Sequence, residues 1–417
     1  MTAPQQPAAF AADVIILGGG LVGLTLAAAL DSGGVTSIMV DPLDPAAQAS
    51  ATYDGRATAV ASASWKMLEA IGVSARLQAL EAGGGGCPIE TIRVTDGLAP
   101  GGLTFEADPG DALGRMFENR HLRGALRAHV EAAGHVTPMT PAVPTQVERG
   151  EDAVRVTLAD GRMLTAGLLV AADGRGSPTR EAAGIRVARW SYDHQAIVAT
   201  IAHDVPHGQV AYEIFYPSGP FAILPMLPAS DGHRSAIVWS VAAADAPAYL
   251  DLPDRAFTAA LEERMGGFLG ALRPAGPRAR YPLGFHHAAT ITANRLALVG
   301  DAAHGIHPIA GQGLNLGFRD VAALAQVLIE GVRLGLDTGD AQLLARYQRW
   351  RALDVLAIAA STDALTRVFG VRGRAASAIR NLGMSAIDRV APVKARLMEE
   401  ARGTSGELPL LLRGLRV

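Results

Sequence analysis

A short apolar run that breaks into three consecutive glycines limits this chain more than any other feature. Asp13-Val-Ile-Ile-Leu17 is apolar and β-branched, the pattern of a strand buried in a parallel sheet. Gly18-Gly-Gly20-Leu21-Val22-Gly23 follows with Gly-x-Gly-x-x-Gly spacing, and Leu24 to Leu30 is rich in helix-forming Ala and Leu. Gly33-Gly34 stops the helix, Thr36 to Val40 reads as a second strand, and Asp41 ends it. Strand, tight turn, helix and strand in that order are a dinucleotide-binding unit. Gly18 permits the turn, Gly20 lets backbone approach a pyrophosphate, and Gly23 lets helix and strand pack closely. The helix start, with Leu21 and Val22 in its first turn, offers free N–H groups to phosphates. Asp41 lies 18 residues beyond Gly23, near the distance expected for a ribose-binding acid. An acid there favours FAD or NAD over NADP. A purely structural glycine turn is the competing reading.

Composition removes several classes. A chain of 417 residues suggests two domains, and 49% hydrophobic against 18% charged residues excludes global disorder. A net charge of −3 leaves no basic face for nucleic acid. Lysine occurs only at Lys66 and Lys394, so no Gly-Lys-Ser/Thr phosphate loop exists. Cys87 is the lone cysteine, which rules out an internal disulfide, a Cys-rich zinc site or a Cys-x-x-Cys pair and fits a reducing cytoplasm. Val14 to Leu30 could be mistaken for a signal or a membrane span. Asp13 heads it, glycines break it, no Lys or Arg precedes it, and it is shorter than the roughly 20 residues of a span.

Two later clusters follow strands. Leu168 to Ala172 leads into Asp173-Gly-Arg-Gly-Ser-Pro-Thr-Arg180, where a bland Asp-Gly turn is the simpler reading. Asn294 to Val299 leads into Gly300-Asp301-Ala-Ala-His304. The sequence then continues through His307-Pro308-Ile-Ala-Gly311-Gln312-Gly313-Leu314-Asn315-Leu-Gly317-Phe-Arg-Asp320 into a helix with apolar spacing. Asp301 at a strand end can hold a polyol hydroxyl. The Gly311-Gln-Gly313 turn opens a helix whose N–H groups can face an anionic ring edge. His304 and His307 could ligate a metal, but without a carboxylate or Cys cluster a structural role is the expectation, and no metal is assigned.

The three clusters, in this order, resemble the class A FAD-dependent monooxygenases of the p-hydroxybenzoate hydroxylase type. The third is similar to the motif of the ubiquinone-biosynthesis hydroxylases at His307, Pro308, Gly311, Gln312, Gly313, Asn315, Gly317 and Asp320. Asp54-Gly-Arg56-Ala-Thr58 resembles their flavin-contacting segment, and the stretch from Ala401 to Pro409 resembles bacterial tails. The resemblance implies an α/β fold: a Rossmann-like FAD-binding domain, an inserted, mainly β-sheet substrate domain and a C-terminal helical region. The FAD domain would take residues 1–75, 98–180 and 281–335. The substrate domain would take 76–97 and 181–280, with strands at Gln195–Ala202, Val210–Tyr216, Phe221–Leu227 and Ser235–Val241. Residues 336–417 would be helices and tail, with Arg346, Arg349 and Arg351 on solvated turns.

The resemblance also implies FAD as cofactor and NADH or NADPH as transient co-substrate. It implies ring hydroxylation of a polyprenylated phenol, from a membrane surface or within a ubiquinone-biosynthesis protein complex. The protein would be cytoplasmic or peripheral at the inner face of the membrane. Cofactor contacts would come from Gly18, Gly20, Leu21, Val22, Gly23, Asp41, Arg56, Arg120, Asp173, Arg180, Gly300, Asp301, Pro308, Gly311, Gln312, Gly313, Leu314 and Asn315. Pro308 would frame the flavin. No catalytic base stands out, and His194, Tyr212 and Tyr216 are weak candidates. Tyr212, Phe215, Tyr216 and Phe221 could line the pocket or be sheet core. A hydroxylase of small phenols, a prenyl-lipid reductase and a non-catalytic FAD-binding assembly protein are the other readings. The apolar tail Leu408, Leu410, Leu411, Leu412 and Leu415, flanked by Arg402, Arg413 and Arg416, would either dock to a membrane or partner or pack on its own FAD domain.

Overall fold

The computed structural model describes residues 9–45, 55–80, 85–99, 101–305, 312–352 and 387–417. The first sheet is built on β1 (Ala9–Leu17), flanked in parallel by β2 (Ser37–Val40) and β11 (Met163–Ala171). β8 (Val136–Met139) extends it beyond β2 and β19 (Leu296–Leu298) beyond β11, again in parallel. β9 (Pro144–Arg149), β10 (Val154–Leu158) and β18 (Thr292–Ala293) add antiparallel edges. Val14, Ile15 and Ile16 of β1 are fully buried at the centre of this sheet, as expected for a parallel strand covered on both faces.

The helices, in chain order, are α1 (Leu21–Ser32), α2 (Ser62–Ala70), α3 (Val73–Gln78), α4 (Asn119–Glu131) and α5 (Pro178–Ala182). They continue with α6 (Ala246–Leu250), α7 (Asp254–Met265), α8 (Gln312–Arg333), α9 (341–352) and α10 (Ala391–Arg402). α1 joins β1 to β2 and packs on α8.

The second sheet runs in the order β20 (His304–Gly305), β17 (Ala279–Ala288), β12 (Val187–His203), β15 (Gly232–Ala242), β14 (Gly219–Ala229), β13 (Val210–Tyr216), β5 (Thr91–Asp96) and β6 (Leu103–Glu106). β16 (Leu272–Pro274) adds to β12. A small third sheet of β3 (Ala57–Ala61), β7 (Gly114–Glu118) and β4 (Cys87–Ile89) lies between the two bodies. One face of the second sheet, with Ile214, Phe221, Ile237 and Trp239, is closed by α7 through Phe257 and Leu261. The opposite face, with Ala211, Phe215, Met226 and Ala236, packs toward β4 and β7 through Cys87, Ile89 and Met116.

The four strands expected in the insert are present: β13 has the expected bounds, β14 and β15 run a few residues longer, and β12 begins earlier, at Val187. The sheet overruns the expected boundaries at 98 and 281, because β6 pairs with β5 and β17 pairs with β12. The C-terminal region is not a separate body. Leu343, Leu344, Tyr347, Leu411 and Leu412 join the core of the first domain. Arg351, expected on a solvated turn, is 2% exposed, because its charge is matched inside by Asp320.

Candidate active site

The turn after β1 shows why each glycine is needed. Gly18 has φ +115°, and a Cβ there would lie 2.3 Å from the Ala172 carbonyl oxygen. A Cβ on Gly23 would lie 1.9 Å from the Gly18 carbonyl oxygen, so helix and turn touch only if both residues are glycine. Gly20 differs: a Cβ there would meet no atom of the described residues within 4 Å. It faces open space at the start of α1, flanked by half-buried Leu21 and Val22. Asp41 ends β2 as expected, but it also holds the turn. Its Oδ2 accepts from Gly19 N–H at 2.5 Å and its Oδ1 from Leu43 N–H at 2.8 Å.

The third cluster meets this turn from the other side. Gly300 has φ +59° and abuts Val22, and Asp301 stands half exposed, 4.0 Å from Arg175 Nε. His286 Nε2 donates to the Asp301 carbonyl at 2.8 Å; burial lowers the pKa of this imidazole. Arg180 is buried, donating from Nη1 to Ala302 O at 2.9 Å and from Nη2 to Arg175 O at 3.1 Å. It therefore braces the Asp301 turn. Asp173 accepts from Thr179 N–H at 3.2 Å through Oδ2, while its Oδ1 is buried without a hydrogen-bond partner.

Gln312 and Gly313 begin α8, and a Cβ on Gly313 would again meet no atom of the described residues within 4 Å, beside half-buried Leu314. Asn315 clamps β3: its Nδ2 donates to Ala59 O at 2.9 Å and its Oδ1 accepts from Ala61 N–H at 2.9 Å. Arg56 presents its carbonyl to Asn119 N–H at 3.0 Å. Arg120 Nε donates to Glu118 Oε2 at 2.7 Å, and Glu118 Oε1 accepts from Arg234 Nη2 at 3.0 Å, tying the FAD-side strand β7 to β15. Pro308, Gly311 and His307 lie outside the described residues.

Sequence reasoning gave Asp320 no role. It is buried in α8, where its Oδ2 accepts from Gly300 N–H at 2.9 Å and lies 2.7 Å from His304 Nε2. Its Oδ1 accepts from Arg351 Nε at 2.7 Å. Burial opposes ionisation of this carboxyl, but His304 and Arg351 outweigh it and hold the pKa below the ordinary value. His304 is thus a partner of Asp320, consistent with the structural role expected for it.

Between β3, α8 and the inner face of the second sheet lies a cavity of about 280 Å³, with α10 at one side. Phe215 lines it as expected, but the tyrosine candidates are not its polar groups. Tyr212 touches it yet packs against Phe268 in a tilted ring pair, with centroids 4.7 Å apart. Tyr216 points to the α7 face, its hydroxyl donating to Arg264 O at 2.5 Å, and Phe221 is core on that same face. His194 sits opposite Ala242 in the β12–β15 ladder, away from the cavity lining. The period-two side-chain alternation of a strand decides this: Tyr212 and Tyr216 share a phase, and Ala211, Glu213 and Phe215 hold the other. Glu213 was missed, although a Glu in the apolar phase of a strand was a visible signal.

The profile of the FAD-binding domain family matches residues 11–361. The chain belongs to this family. It is 45% identical over 408 residues to the ubiquinone hydroxylase UbiL of Rhodospirillum rubrum, covering 97% of this chain and 93% of that one. It is 30% identical over 394 residues to the 3-demethoxyubiquinol 3-hydroxylase of Escherichia coli, covering 94% and 98%. The fold matches the crystal structure of p-nitrophenol 4-monooxygenase from Pseudomonas putida with a TM-score of 0.77 at 18% identity, over 96% of this chain and 100% of that one. FAD is the family's cofactor, and the residues here fit it. The turn is open where a Cβ on Gly20 or Gly313 would intrude, and Asp173 Oδ1 lacks a partner. The chain is an FAD-dependent monooxygenase.

Proposed function

We propose that the protein hydroxylates the ring of a polyprenylated phenol in ubiquinone biosynthesis, with NADH or NADPH as reductant and dioxygen as co-substrate. The observation that carries this reading is the apolar cavity between the FAD-side residues Ala59, Ala61 and Asn315 and the inner face of the substrate sheet. The start of α1, with Gly20 and Asp41, would hold the pyrophosphate and ribose, and Asp301 the ribityl chain. The start of α8 would face the ring. Bound FAD, once reduced, activates dioxygen so that one oxygen atom reaches an electron-rich ring and the other leaves as water. The protein's part is to orient that ring, exclude water with the sheet's apolar face and keep the cofactor turn rigid through Asp320. The identities to the two ubiquinone-pathway hydroxylases support the substrate class.

The cavity volume is near the lower end of the roughly 300–1,000 Å³ usual for ligand sites, so it suits a ring rather than a ring with a long chain. The chain would leave past Leu397 of α10, which lines the cavity and is 37% exposed. Val390 and Val393 are exposed on the same stretch, beside Arg389, Lys394 and Arg396. Lys394 and Arg396 are paired with Asp388 and Glu399, so the exposed valines rather than net charge would make this stretch a contact for a membrane surface or a partner that delivers the lipid. No helix among the described residues is long and apolar enough to cross a membrane.

Purified protein with a flavin spectrum, given NAD(P)H, labelled dioxygen and a prenylated phenol, should place one labelled oxygen on the ring. A reduced product without label would favour a prenyl-lipid reductase. A deletion strain profiled by mass spectrometry should accumulate the unhydroxylated ring.

A further inference from the structure

We propose that the Glu213 side chain is the polar anchor that hydrogen-bonds the ring hydroxyl of the substrate. This rests on the hydroxylase reading above. Glu213 is central in β13, paired with Val94 of β5 on one side and Ala222 of β14 on the other. Its cavity neighbours are apolar: Ile92, Val94, Leu103, Phe105 and Leu224. Only 8% of the residue is exposed, and among the described residues no donor or acceptor pairs with its carboxyl. A buried polar group without a partner is costly, and natural folds keep one where a ligand completes it.

Of the polar residues lining the cavity, which include Ser64, Arg319 and Glu400, Glu213 is central in the sheet among apolar side chains. Arg319 of α8 lines the cavity, but its Nη1 donates to Gly403 O at 2.9 Å and its Nη2 to Ser405 O at 2.7 Å. Glu400 of α10 stands at the cavity edge, and the Tyr212 hydroxyl belongs to a ring packed against Phe268. Burial alone raises the Glu213 pKa, to about 8, so the carboxyl holds a proton at neutral pH. A protonated carboxyl both donates and accepts, which matches a phenolic hydroxyl. In a cavity reaching Asn315, three residues past the start of α8, such a bond would fix one edge of the ring relative to the flavin.

The test is a titration of the FAD-loaded protein with a short-chain prenylphenol, read by the change in flavin absorbance. For wild type, Kd should be about tenfold higher at pH 9 than at pH 7, as an anchor with a pKa of about 8 loses its proton. Glu213→Gln keeps a donor and an acceptor without ionising, so it should bind nearly as well at pH 7 and show no pH dependence. Glu213→Leu should bind about tenfold more weakly. Infrared difference spectra should show a protonated carboxyl band that shifts on probe binding and is absent in Glu213→Gln. A wild-type Kd flat across this range, no binding of the probe, or wild-type affinity in flavin-loaded Glu213→Leu would overturn the proposal. If Glu213→Leu fails to hold flavin, the wild-type and Glu213→Gln pH series still decides. The expected binding pattern without ring hydroxylation would leave the anchor standing and sink the hydroxylase reading.

Discussion

The glycine turn after β1, proposed to hold the cofactor, and the cavity beneath β13, proposed to hold the substrate ring, are written in different ways. The turn is carried by backbone. Gly18 and Gly23 are needed because a Cβ would overlap carbonyl oxygens at 2.3 and 1.9 Å. The cavity is carried by side chains, and the buried Glu213 carboxyl depends on which face of a strand points inward. Backbone sites impose residue types at fixed spacing. Side-chain sites impose only a phase, which can be read once the sheet's partners are known.

The sharpest break of the comparison lies within the turn itself. Gly23→Ala should prevent folding, since the added methyl meets backbone that cannot move aside. Gly20→Val should fold and still lose flavin, because its side chain enters space that only the cofactor fills. Circular dichroism and visible absorbance of the two variants separate these outcomes. Full flavin occupancy in Gly20→Val would remove Gly20 from the cofactor site.

The second effect concerns the tail. Leu411 and Leu412 are buried against α2 and α8, and Leu410 N–H donates to Gln326 Oε1 at 2.8 Å. Trp350 Nε1 donates to Glu407 O at 2.9 Å. Ending the chain after Arg402 should therefore cost about 3–6 kcal/mol from the two leucines alone, at roughly 1.5–3 kcal/mol each. Thermal unfolding would show a lower Tm and early flavin release. An unchanged Tm would restore the tail as a free docking element.

How much could be read beforehand follows the same division. β1, α1, β2 and Asp41 were legible because glycine spacing, strand composition and helix propensity all agree there. β12 to β15 were legible as strands from their alternation. Which residues of β13 faced the cavity was not, because Tyr212 and Tyr216 look more like pocket residues than Glu213 does. Asp320 was visible only as a matched letter in a motif. Its pairing with Arg351, 31 residues later, needs the fold of α9 onto α8.

Glu213 sharpens the comparison through pH. Its folded pKa of about 8 lies above the ordinary carboxyl value of 4.5, so the folded state holds the proton more tightly than the unfolded chain. The associated stability is fully present below about pH 4.5 and is lost as pH rises through about 8. Compared with wild type, Glu213→Gln should gain stability steadily across that window and then level off, by a few kcal/mol in all. Urea midpoints measured at several pH values give the difference directly. A constant offset between the two proteins would mean that the carboxyl is ionised throughout.

The smallest effect returns to the backbone side, at Gly313. It begins α8, where N–H groups and the helix dipole would stabilise negative charge on the reduced ring. A Cβ there meets no atom of the described residues, so Gly313→Val should fold normally and push only on the flavin edge. A helix terminus contributes roughly 0.3–1 kcal/mol, which over two electrons corresponds to about 5–20 mV. The variant's flavin potential should fall by that amount at full occupancy, measured by dye-linked reduction. An unchanged potential would mean that the start of α8 faces some other part of the cofactor. The backbone reading of the site would then end at the pyrophosphate, and the environment of the ring would rest on side chains, as in the cavity beneath β13.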